Sequence, residues 1–156
     1  MALRLPRGLL DPRLGGAGFR ADADGLVSLC IAFEAGRITA ISPLPAQAAA
    51  AANLPLALTP LVEPHAHLDK AFSAAAFPNR AGTMAAALAA NQREYVQRSV
   101  EQVAERAERA LERAWRNGVR AIRSHIDSVG AGAEPSWEAL LAARERWRER
   151  LELQLV

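Results

Sequence analysis

The chain has 156 residues, room for one ordinary domain or a little more. Hydrophobic residues make up 51% and charged residues 23%, a globular balance that excludes a largely disordered protein. The net charge of +2 comes from arginines and one lysine, Lys70, most of them alternating with Glu, so the reading excludes nucleic acid as a partner. The longest uncharged stretch, Ile38 to Val62, is interrupted by Pro43, Pro45, Pro55 and Pro60. A membrane span needs roughly 20 continuous apolar residues, so no membrane partner is expected. Arg4 and Arg7 are not followed by a long apolar run, so no secretory signal is read and a cytoplasmic location is expected. The lone cysteine, Cys30, lies in the apolar run Leu26 to Ala32 and reads as a buried, reduced thiol.

Residues 1–58 read as β-rich. Leu26 to Phe33 suits a strand, Glu34-Ala35-Gly36-Arg37 a turn, and Ile38 to Ile41 the return strand, which together form a hairpin. Pro43 and Pro45 end it, and Gln47 to Asn53 is an Ala-rich connector with the makings of a short helix. Leu56 to Leu61 leads into Val62-Glu63-Pro64-His65-Ala66-His67-Leu68-Asp69-Lys70 and reads as a strand buried on both faces. Ala71 to Asn91 has little period and reads as a loop, with one helical turn near Met84 to Ala90.

A helix is expected after Ser99, which forms a capping box with Gln102. Val100, Val103, Ala107, Ala110, Leu111 and Ala114 recur at helical spacing, while Glu105/Arg109 and Glu112/Arg116 mark an exposed face. Asn117-Gly118 stops this helix, Val119 to Ile126 is a strand, and Ser136 caps a second helix with Trp137, Leu140, Leu141, Arg144 and Trp147 on one side. Leu151 to Val156 is again β-suited. After the hairpin the order is that of a parallel α/β sheet, with residues 59–156 as its unit.

The chemistry centres on His65-Ala66-His67. Residues two apart on a strand share a side, so both imidazoles project together from the strand end. Such a pair can hold one divalent metal, Zn or Fe, or can be two solvated histidines; the position after a strand in an α/β pattern favours a site. Asp69 has the same parity and either orients a ligand histidine or caps the loop. His125 lies at the end of the next strand, where it lines the site or makes a structural hydrogen bond. Asp127 shares its parity and reads as structural, and Lys70 as a loop charge or a site-lining group.

Leu61 to Lys70 closely resembles the first-strand signature of the amidohydrolase superfamily, and most closely its cytosine deaminase branch and relatives acting on triazines and other cyclic amidines. Asn117-Gly118-Val119 and Arg123-Ser124-His125-Ile126-Asp127 are similar to the end of the first barrel helix and the second barrel strand of those enzymes. Glu34-Ala35-Gly36-Arg37-Ile38 is similar to part of their small β-domain. The resemblance implies the N-terminal portion of a (β/α)8 TIM barrel over residues 59–156, preceded by part of a β-sandwich over residues 1–58. It implies His65 and His67 as the first two ligands of a single catalytic metal. The metal activates a water that attacks a ring carbon of a small heterocyclic substrate.

The same resemblance implies eight strands, of which this chain supplies the first two and a half β/α units. Further ligands and the proton-shuttling Glu are expected beyond Val156. A parallel fragment with bare edges and uncovered apolar inner faces is expected to be marginally stable. It is expected to need a complementing C-terminal fragment or a homo-oligomer. The competing readings are a truncated or frameshifted remnant without activity, and a small interaction module docking through the Arg/Glu helix.

Overall fold

A computed structural model of the chain describes residues 1–14, 18–51 and 53–156. They form two compact units, Met1–Thr59 and Pro60–Val156.

The first unit is a three-stranded antiparallel sheet of β1 (Ala2–Pro6), β2 (Leu26–Glu34) and β3 (Arg37–Pro43), in that order. Alternation along β2 sends Val27 and Leu29 inward, where they meet Leu3, Leu10 and Phe19. Cys30 has the opposite parity and is half-buried, which corrects the expected buried thiol. β2 and β3 are joined through Ala35 (φ 49°) and Gly36 (φ 75°), the paired left-handed residues of a tight hairpin turn. A short helix, α1 (Ala46–Ala51), follows; the Ala52 end of the Ala-rich connector lies outside the described residues.

The second unit is a parallel sheet of β4 (Leu61–Ala66), β5 (Val119–Ser124) and β6 (Glu152–Leu155), with helices α2 (Met84–Tyr95), α3 (Val100–Arg116) and α4 (Ala133–Trp147). Ile122 and Leu153 pack against α3 and α4 in a core that includes Val103, Ala107, Leu111, Leu140, Ala143 and Trp147. On the other face Arg123 donates to Gln154 at 3.1 and 3.2 Å, and Gln154 to Glu152. At β5 and β6 this face is therefore polar, whereas on β4 it keeps an exposed aliphatic residue, Val62. Two-sided burial of β4 does not hold. Leu61 and Val62 are 52% and 65% exposed, because among the described residues β4 pairs with β5 alone.

Helix α3 begins at the expected cap, with Ser99 Oγ accepting from the Gln102 N–H at 3.3 Å. Glu112 accepts from Arg116 at 2.6 Å, whereas Arg109 stacks on Phe72, 4.2 Å from its ring centre. Glu108 accepts from Arg146 and Trp147 of α4, so part of the charged face is an internal contact. The helical turn expected near Met84 to Ala90 is a full helix, α2, which runs on to Tyr95, beyond the end of the expected loop. Thr83 caps it, accepting from the Ala86 N–H, and its buried side carries Ala90, Glu94 and Tyr95. A carboxylate on the buried face conceals the helix's continuation from an apolar-periodicity reading.

Helix α4 starts a turn before the expected cap. Pro135 sits in its first turn, where a missing N–H costs nothing. Ser136 is buried inside the helix, its hydroxyl donating to the Gly132 carbonyl at 2.6 Å. The buried side is Ser136, Ala139, Leu140, Ala143 and Trp147, so the expected Leu141 and Arg144 turn outward. Gly132 is a close-approach glycine: a Cβ there would stand 2.8 Å from the Tyr95 ring. Among the described residues no helix is long and apolar enough to cross a membrane.

Candidate metal centre

The parallel pairing of β4 with β5 sets the geometry. Ala66 lies opposite Ser124, and the His125 N–H donates to the Ala66 carbonyl at 2.8 Å. His65 is therefore the penultimate residue of β4, and His67 and His125 each follow directly after a strand. The ring centres are 4.1 Å apart for His65 and His125, 5.5 Å for His65 and His67, and 5.9 Å for His67 and His125. Three imidazoles from two neighbouring parallel strands thus meet at the C-terminal edge of the sheet, where α/β folds place their sites. The Glu63 carboxylate accepts from the His65 N–H at 3.0 Å and shapes the local bend around Pro64.

His67 Nδ1 is buried without a hydrogen-bond partner. A buried, unpartnered imidazole nitrogen is an open donor for a cation. Asp69 Oδ1 lies 3.9 Å from it, too far for the orienting hydrogen bond that parity allows. The chain leaves extended geometry after His67 and turns through Leu68–Lys70, which takes Asp69 into the interior. There its Oδ2 accepts from Arg98 at 2.8 Å and from the Asp127 N–H at 3.2 Å. Lys70 donates to both Asp127 oxygens at 2.9 and 3.0 Å, so it is a paired, partly buried group rather than a solvated loop charge.

Among the described residues, His67, Asp69 and Asp127 form the cluster whose ligand atoms lie within 4.8 Å of one another. Both carboxylates already face cations, Asp69 meeting Arg98 and Asp127 meeting Lys70 and Arg98. This cluster has the ligand-atom spacing a divalent ion needs, and His67 is the residue common to it and to the imidazole group.

No protein-family model matches the chain, and no curated protein does. Solved structures do. A 5-methylcytosine deaminase from Klebsiella pneumoniae liganded with 5-fluorocytosine is similar over 99% of this chain, with a TM-score of 0.71 and 25% identity. The same enzyme liganded with phosphonocytosine matches with a TM-score of 0.70 and 26% identity. An N-isopropylammelide isopropylaminohydrolase from Burkholderia multivorans matches with a TM-score of 0.52 and 26% identity. These structural neighbours are enzymes of the amidohydrolase superfamily, and the chain shares their fold over nearly its whole length. It spans 35 to 37% of the length of these relatives.

The electrostatics of the chain divide along the same line as the contacts. Burial, then the charges of His65, His67 and Arg123, hold His125 below its ordinary pKa, so its neutral, metal-competent form is favoured. Burial pushes the Asp127 carboxyl up, but Lys70, Asn91 and Arg98 outweigh it and the net shift is downward. Sequence reasoning missed Arg98, Glu94, Asn91 and Arg106. The available signal was Glu94 preceding Arg98 by four residues, a spacing common on solvated helices.

Proposed function

We propose that this chain is the metal-binding part of a hydrolase that attacks the C–N bonds of cyclic amidines, as cytosine deaminase-like enzymes do. The observation that carries the reading is the meeting of His65, His67 and His125 at the ends of β4 and β5. Its support is the fold shared with a 5-methylcytosine deaminase. On this reading the parallel unit begins a (β/α)8 barrel and the antiparallel sheet is part of a flanking β-sandwich. A single cysteine without a disulfide suits a cytoplasmic setting.

His65 and His67 would hold the metal, zinc or iron, through imidazole nitrogen. Bound there, such an ion would lower the pKa of a water and so supply the nucleophile for the ring carbon bearing the exocyclic nitrogen. His125, neutral and beside His65, is placed to meet a small heterocyclic substrate by a hydrogen bond. Asp69 and Lys70 set the turn that carries His67. Remaining ligands and the proton-shuttling carboxylate come from a complementing segment.

The test is ammonia release from cytosine and related rings by the chain joined to the complementary part of such a barrel. His65→Ala or His67→Ala should lower metal content and abolish most turnover. Undiminished turnover in metal-free protein would reject the assignment.

A further inference from the structure

One guanidinium reaches both histidine-bearing strand ends. The Arg98 side chain, between α2 and α3, is fully buried. Its Nη1 donates to Asp69 Oδ2 at 2.8 Å and to Ser136 Oγ at 3.2 Å. Its Nε donates to Glu94 Oε2 at 2.8 Å, and its Nη2 to Asp127 Oδ2 at 3.3 Å. The Tyr95 ring stacks on it, 4.8 Å from ring centre to guanidinium carbon. Asp69 lies two residues past His67, and Asp127 two past His125. Asp69 also accepts the Asp127 N–H, so the two strand ends are joined through one carboxylate and one cation. Arg106 holds the far oxygen of Glu94, and Lys70 and Asn91 hold Asp127.

We propose that Arg98 is a positioning residue for the metal centre, holding Asp69 and Asp127 so that His67 and His125 keep a fixed separation and orientation. The inference rests on the metal reading above. Its physical basis is the shape of the guanidinium. A planar fork with five donors can bind three carboxylates and a hydroxyl at once in fixed directions; an ammonium is a point charge with no such geometry. Buried ion pairs contribute little net stability against an apolar replacement, so orientation is the property this cluster is built to supply. Groups that orient metal ligands typically change metal affinity by about 10–100-fold when mutated.

The experiment is a Co²⁺ titration of the purified chain, read by visible absorption, with far-UV circular dichroism reporting fold. The parent should bind Co²⁺. Arg98→Lys keeps the charge and loses the fork; folded, it should bind about tenfold or more weakly, with a shifted visible band. Should Arg98→Lys fail to fold, Asp127→Asn carries the test, because Asp127 is partly exposed and keeps an acceptor for Lys70. It should weaken binding in the same direction. A folded Arg98→Lys, or in its place Asp127→Asn, with the parent's affinity and spectrum would overturn the positioning role and leave the metal reading standing. A parent that binds no Co²⁺ would overturn both.

Discussion

The imidazole cluster and the charge network beneath it alternate along the same short segments, yet they are built by opposite means. His65 and His67 lie at the exposed end of a strand, two residues apart, and chain geometry alone brings them together. Asp69, Arg98 and Asp127 are drawn from a turn, a helix junction and a strand end, separated by 29 and 58 residues along the chain. The first group includes a buried imidazole nitrogen, His67 Nδ1, with no hydrogen-bond partner. The second is satisfied internally, three carboxylates against Arg98, Arg106 and Lys70. A ligand site needs unpartnered donors and a scaffold needs partnered ones, and here a turn of chain separates the two.

The contrast breaks most sharply on truncation. Arg98→Ala leaves Asp69 and Glu94 buried without their shared cation, an expected loss of about 3–5 kcal/mol. For a single small unit that amounts to unfolding, and urea denaturation followed by circular dichroism checks it. A loss below about 1 kcal/mol would mean that water or a rearranged Lys70 replaces the guanidinium. The apolar side of the same unit gives a reference scale. Leu140→Ala and Leu111→Ala each empty a fully buried site, with an expected cost of about 2–5 kcal/mol. Comparable losses for Arg98 and the two leucines would show the ionic cluster to be as indispensable, once built, as the core.

The histidines were legible because strand parity and the flanking sequence both act locally. Helix α3 was legible for the same reason, with its cap at Ser99 and apolar positions four apart. The network was not, since its partners meet only after β4, β5 and α2 have come together. Only the first part of helix α2 was legible, as a turn near Met84 to Ala90; its continuation to Tyr95 was hidden by Glu94, a carboxylate on the buried side that Arg98 and Arg106 reach. Ser136 was misjudged as a cap because a serine before an apolar run reads the same whether it starts a helix or serves a buried arginine. Local rules failed where polar groups were buried for each other.

Acid should act on the network first. The Asp127 pKa is lowered by folding, so its stabilising contribution is present above the ordinary aspartate range. That contribution is lost as pH falls from the ordinary value through the lowered folded one. Asp127→Asn should flatten this acid limb of stability, measured as urea midpoints across pH 2–6. An unchanged slope would remove Asp127 from the titrating set. The smallest effect is expected at the surface, where Glu112→Ala breaks the exposed pair with Arg116 for about 0.3–0.5 kcal/mol. A larger loss there would give the α3 surface a role that the internal network does not predict.

The most direct measurement is a calorimetric Zn²⁺ titration of the chain beside its His65→Ala/His67→Ala variant, both confirmed folded. The account predicts saturable binding of a single ion by the parent and its loss in the variant, with the urea midpoint of the metal-free protein little changed. Binding that persists undiminished in the variant, or a parent that binds no Zn²⁺, would contradict it.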